Sequence, residues 1–267
     1  MADAVRLYTR YIGASLRAQM QYRASFIMNA LGHLAITAGE FLSLAALFGR
    51  FGNIDGWTLP EVALFYGLVS CAFALCEGVA RGFDDFSRTI RNGDFDRLLV
   101  RPRSTLLQVA GQELQLLRVG RFLQGLAVLI WSAATLGIAW TLPRILLVLG
   151  AVLGGVCLFY GLFVLQATLC FWTVQSLEVM NTLTYGGVET AQFPVTVYRA
   201  WFRNIFIYVV PLACVTYFPA LAILDRADAL GSPTWFQWLA PLVGVGFMAL
   251  ATQVWHFGVR HYRSTGS

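Results

Sequence analysis

Lysine is absent from this chain: all 19 basic residues are arginine. A Walker A phosphate loop needs its lysine, and so do Ser–Lys hydrolases and Schiff-base enzymes, so none of these sites can be built here. Charge of either sign is scarce, at 12% of residues against roughly 25% in an ordinary soluble domain. The five cysteines, Cys71, Cys76, Cys157, Cys170 and Cys214, show no C-x-x-C spacing and sit inside apolar blocks, where they read as small buried hydrophobes. Three histidines with no H-E-x-x-H spacing offer no metal site. There is no G-x-S-x-G and no intramembrane aspartate pair, which leaves an intramembrane enzyme without support.

What the chain does have is apolar length. Hydrophobic residues make up 58% of the 267, more than a soluble domain of this size can hide. A bilayer core of about 30 Å takes a helix of roughly 20 apolar residues. Six blocks meet that length: Phe26–Phe48, Leu59–Val79, Phe122–Trp140, Ile145–Phe171, Ile205–Leu224 and Phe236–Phe257. The first lies too far in for a cleaved signal peptide, and the rest are too numerous. The expected fold is an all-α polytopic membrane protein with six transmembrane helices in a single domain over residues 1–267.

The arginines orient it. Arg6, Arg10, Arg17 and Arg23 precede the first block, and eight more lie between the second and third, from Arg81 to Arg121. Arg199 and Arg203 fall between the fourth and fifth, and Arg260 and Arg263 follow the sixth. The other side keeps only Arg50, Arg144 and Arg226 of the 19. Positive residues stay inside, so both termini are expected in the cytoplasm. The net charge of +5 then suits contact with anionic membrane lipid, and nucleic acid is not an expected partner.

Five features outside the simple span pattern carry further expectations. Residues 3–23 read as an amphipathic interface helix, with Arg6, Arg10 and Arg17 within a sector of about 40°. Residues 81–104 read as a helical hairpin: Gly82–Arg91 carries Phe83 and Phe86 among Asp84, Asp85, Arg88 and Arg91, and Asn92-Gly93 breaks it. Asp94 caps a second helix through Val100, with Pro102 limiting its extension. A merely solvated loop needs no Phe83, Phe86, Phe95, Leu98 or Leu99, so a docking surface is expected, with these as apolar knobs and Asp84, Asp94, Asp96 and Arg97 at the rim. Residues 174–203 read as a second cytoplasmic connection leading into a fifth span that Pro211 and Pro219 interrupt, kinked or partly re-entrant. Gly150 and Gly154 form a GxxxG pair for close helix packing, first of all within the subunit. Glu40 and Glu77 are placed near the interfaces, where a carboxylate costs little.

Three stretches in the same order resemble the ABC type-2 permeases, in the small six-span bacterial branch. They are Leu16–Ile27 (LRAQMQYRASFI), Asn92–Pro102 (NGDFDRLLVRP), and Thr184–Tyr198 (TYGGVETAQFPVTVY) followed by Pro211–Ala220 (PLACVTYFPA). The resemblance implies an exporter subunit in the bacterial cytoplasmic membrane. Its partners would be a second permease, identical or related, and ABC ATP-binding subunits that hold the ATP and Mg, with no cofactor in this chain. It also implies that the coupling helix lies in 81–104, between spans two and three. The residues expected to couple to the ATPase are Phe83, Asp84, Phe86, Arg88, Asp94, Phe95, Asp96, Arg97, Arg101 and Pro102. The alternative, a secondary transporter driven by an ion gradient, calls for ionisable residues at mid-membrane, and the sequence reads as nearly free of them.

Overall fold

The computed structural model describes residues 23–112, 119–173 and 177–262. The segment with Arg6, Arg10 and Arg17 lies outside them. Among the described residues there is no strand; a lone antiparallel bridge, Ile54 to Trp57, closes one turn. The first helices in chain order are α1 (Arg23–Phe51), α2 (Leu59–Asp84), α3 (Phe86–Arg91), α4 (Asp94–Leu99), α5 (Thr105–Ala110), α6 (Val119–Thr135) and α7 (Leu142–Leu169). They are followed by α8 (Leu177–Ala191), α9 (Ala200–Asn204, continued by a π turn over Ile205–Val209), α10 (Leu212–Val215), α11 (Tyr217–Leu224), α12 (Thr234–Leu239) and α13 (Leu242–His261).

The second apolar block becomes the central post. Thr58 starts α2, its backbone N–H donating to Glu61 Oε2 at 2.8 Å, which satisfies a donor that a helix start leaves open. From Val62 to Ala74 every residue of α2 is buried. Helix α6 runs antiparallel along it. Ser132 Oγ donates to Pro60 O at 2.7 Å, Leu129 lies over Gly67, Gly125 packs on Ser70 and Cys71, and Arg121 Nη1 is 4.0 Å from Glu77 Oε2. Helix α1 lies parallel to α6, with Gln124 Nε2 donating to Thr37 O at 3.0 Å and Phe41 meeting Trp131 edge-on. Helices α7 and α13 run parallel to each other: Gly154 meets Pro241 and Gly244, Gly161 meets Phe247, and Thr168 and Phe171 meet Gly258.

The bundle has two chemically different ends. At the clasp end, Arg144 pairs with Asp225, and Arg226 Nη1 donates to Glu61 Oε1 at 2.8 Å while its guanidinium lies 3.8 Å from the Trp57 ring centroid. Burial raises the Asp228 pKa there, but hydrogen bonds from Ser232, Leu230 N–H and Tyr217 outweigh it, and the net shift is downward. At the platform end, α3, α4 and α5 gather beneath Phe171, Trp255 and Tyr262.

Four helical stretches are long and apolar enough to cross a bilayer: Ala30–Phe51, Leu59–Arg91, Leu142–Leu169 and Leu242–His261. A fifth is counted if the bent pair Ala200–Val209 and Leu212–Leu224 is one span; α6, at 17 residues, is shorter. The boundaries shift where turn chemistry intervenes. The third block stops at Thr135, with Gly137 at φ 61° just beyond, and the sixth is cut by Pro241 into α12 and α13.

One expectation fails outright. Residues 174–203 do not form a connection at a single end. Asn181 accepts from Gln166 and Tyr185 reaches Asp84 at the platform end, yet Thr196 receives the Trp57 Nε1 hydrogen bond (3.3 Å) at the clasp end. Helix α8 and the 3-10 turn after it (Val195–Val197) therefore run from one end of the bundle to the other. The bent pair that follows starts just beyond Thr196 and finishes where Asp225 pairs with Arg144. The pair is bent by 70° at its break between Val209 and Leu212. The arginine count placed this stretch inside because Arg199 and Arg203 looked like loop charges. Single cysteines at Asn53, Ser232 and Val197 should all label from the same face of the membrane, and Asn92 from the opposite one. Labelling of Val197 together with Asn92 would restore the connection read from the sequence.

Candidate functional site: an aromatic-anchored platform

Helix α2 does not end where its apolar block ends. It carries on to Asp84, turns at Asp85 and resumes as α3, so the chain leaves the bundle as a continuous rod. Gly82 lets α5 close against it: a Cβ there would sit 1.9 Å from Val109 O. Asn92-Gly93 then reverses the chain, Gly93 taking the left-handed conformation (φ 71°) that costs glycine nothing. Asp94 and Asp96 fall in the first turn of α4, where carboxylates complement the helix dipole.

The aromatic side chains of this hairpin point inward. Phe83, Phe86 and Phe95 are each 0% exposed. Phe83 meets Tyr160 at 5.4 Å and Trp255 at 5.5 Å; Phe86 meets Phe95 at 5.2 Å and Trp255 at 5.1 Å; Phe95 meets Phe171 at 5.2 Å and Tyr262 at 5.0 Å. Most are edge-to-face, the arrangement the ring quadrupole favours. Trp255 Nε1 also donates to Thr105 Oγ1 at 3.2 Å, joining α13 to α5. The expectation that these phenylalanines form knobs for a partner is thus corrected. The chain supplies their groove itself, from the aromatic ends of α7 and α13 that the apolar blocks had assigned to lipid.

Asp84 is likewise not at a rim. It pairs with Arg81, accepts from the Tyr185 hydroxyl at 3.1 Å and from Gln166 Nε2 at 3.3 Å, and so ties α2 to α7 and α8. Asp96 stands beside Tyr262, whose phenol pKa is raised by burial and then by that carboxylate. Asp94 accepts from Arg97 at 3.4 Å one turn away. What faces outward is mostly basic and apolar, Arg88, Arg91, Arg97, Leu99, Val100 (84% exposed), Arg101, Pro102 and Arg103, with Asp85 beside Arg88 and Asn92 at the turn. A cleft of about 350 Å³ opens among them, lined by Thr89, Asp94, Arg97, Arg101, Gln108 and Gln112. Gln108 braces its wall, Nε2 donating to Leu98 O and Arg103 O at 3.1 Å each.

Of the glycine pair, Gly154 abuts the backbone of Pro241 and Gly244, while Gly150 has nothing within 4 Å of where its Cβ would be. Sequence reasoning missed Gln166, Tyr185, Phe171, Trp255 and Tyr262 as parts of the platform. Glutamine in an apolar helix and aromatics at span ends were the available signals, and both have commoner explanations in membrane proteins.

Among the described residues no cluster of His, Cys, Asp and Glu could hold a metal ion. The rings join the platform to α7 and α13, and Asp84 joins it to α2, α7 and α8. Comparison with curated proteins and with solved structures found no match. The family model for ABC-2 family transporter proteins matches residues 34–266, nearly the whole chain, and the chain belongs to that family.

Proposed function

We propose that the chain is the membrane-spanning permease subunit of an ATP-driven exporter, pairing with a second permease and driven by separate ATP-binding subunits. In this reading α1, α2, α6, α7, α8 and α13 are the six spans, the platform end and both termini are cytoplasmic, and α9–α11 re-enter from outside. The ATPase docks on the exposed face of residues 81–104. The observation that carries this is the platform itself: an outward basic surface fixed to four spans by buried rings and the Asp84 contacts. A solvated loop needs no such anchoring, and a coupling element cannot work without it.

The test is purification alone and in company. By itself the chain should hydrolyse no ATP; co-expressed with its cognate ATP-binding subunit it should co-purify as a complex holding two permeases. Hydrolysis by the isolated chain, or ion-gradient-driven transport with no ATPase bound, would overturn the assignment.

A further inference from the structure

The outward faces of the crossing helices are not alike. On α7 the exposed positions include Leu146, Leu149 and Leu153, as expected of a surface solvated by lipid tails; on α13 Leu242, Leu250 and Phe257 are joined toward the platform end by Gln253 and His256. On α8 they are, among the described side chains, Thr182 and Glu189, two turns apart on one face, with Gly186 between them. This is the polar side of a helix that runs through the bundle, since Val188, next to Glu189, packs in one core cluster with Val69, Ala72 and Phe73 of the central post.

Glu189 is also not alone at that depth. Glu40 of α1 and Arg121 of α6 both act on it electrostatically, and Arg121 stands 4.0 Å from Glu77 of α2, which is 4% exposed. Glu40 lies about 15 Å along the helix from either end of the apolar run Ala30–Phe51, so it sits at mid-membrane and not near an interface. Tyr66 and Gln124 extend the polar set, the Gln124 amide donating to the Tyr66 hydroxyl at 3.0 Å. Three carboxylates against one guanidinium leave the group net negative when all are ionised. A charged side chain turned to hydrocarbon costs at least about 2.5–3.5 kcal/mol, and such residues face a water-filled cavity or a bundle interior instead.

We propose that the Thr182–Gly186–Glu189 face of α8 fronts water and lines the translocation pathway, with the half-buried Glu40 of α1 behind it, giving it an acidic wall that favours cationic over anionic solutes. The proposal rests on the permease reading and names which face of the subunit turns to the pathway. The lipid-facing side is then that of α7. Arg121 and Glu77 sit behind the wall, the guanidinium holding part of the negative charge in place.

The test uses the assembled transporter in membrane vesicles, with single cysteines added at Glu189, Thr182 and, as a control, Leu153. The probes are a cationic and an anionic membrane-impermeant methanethiosulfonate reagent. Thiolates form in water and not in hydrocarbon, so Glu189→Cys and Thr182→Cys should react at least about tenfold faster than Leu153→Cys. Thr182→Cys, which keeps Glu189 and Glu40, should also prefer the cationic reagent, and adding Glu189→Gln to it should shrink that preference. Reaction of Thr182→Cys no faster than Leu153→Cys, in a complex that still contains its ATPase, overturns the proposal and leaves the permease assignment standing. Equal rates with both reagents would overturn the acidic wall.

Discussion

Phe95→Ala is expected to release the platform from the spans while leaving the chain inserted in the membrane. Phe95 is fully enclosed by Phe86, Phe171, Trp255 and Tyr262, so truncation empties a volume lined by rings that cannot collapse into it. Losses of this kind cost about 3–5 kcal/mol. Thermal stability of the solubilised protein should fall and the ATPase of the assembled transporter should lose its coupling to substrate. Phe83→Ala, beside Tyr160 and Trp255, should behave alike. Reversing the charge of Arg88 or Arg101 should do the opposite, weakening ATPase retention in a salt-dependent way with an unchanged melting temperature, because both are exposed. If Phe95→Ala melted like the parent protein, the rings would not be the anchor.

The second large effect is expected where α7 meets α13. A Cβ on Gly154 would lie 2.4 Å from Pro241 O, and one on Gly244 would lie 2.1 Å from Gly154 O. Both obstacles are backbone, so relief requires the helices to part, and overpacking of this kind costs about 1–3 kcal/mol or more. Gly154→Leu and Gly244→Leu should each abolish recovery of monodisperse protein. Gly150→Leu, four residues away on the same helix, should be tolerated within the isolated subunit, since its Cβ position is open. Equal damage at Gly150 and Gly154 would contradict the packing described.

These cases mark how far the sequence could be read. Helices α1, α2, α7 and α13 were legible because each is a long apolar run with a polar break at its ends. Helix α8 was not, because a helix whose exposed face carries Thr182 and Glu189 has the composition of a loop. Its apolar side is supplied by Tyr185, Gly187, Val188 and Ala191, interleaved with the buried Thr184 and Thr190, a pattern too broken to register as a block. The fifth apolar block was legible as kinked or partly re-entrant from Pro211 and Pro219, and it is bent by 70° between Val209 and Leu212. At the platform the helix breaks at Asn92-Gly93 and Ser104 were legible from turn chemistry. The direction in which the phenylalanines point was not. An amphipathic hairpin buries its apolar face either in a partner or in its own chain, and only the positions of Phe171, Trp255 and Tyr262 decide between them.

The most direct test of the central claim is a site-specific photocrosslink from the platform to the ATPase. A photoreactive amino acid at Val100, which is 84% exposed beside Arg97 and Arg101, should give an adduct with the ATP-binding subunit in intact membranes. The same group at Asn53, at the clasp end, should give none. An adduct from Asn53, or a Val100 that crosslinks only to lipid in a complex proven to contain the ATPase, would contradict the account.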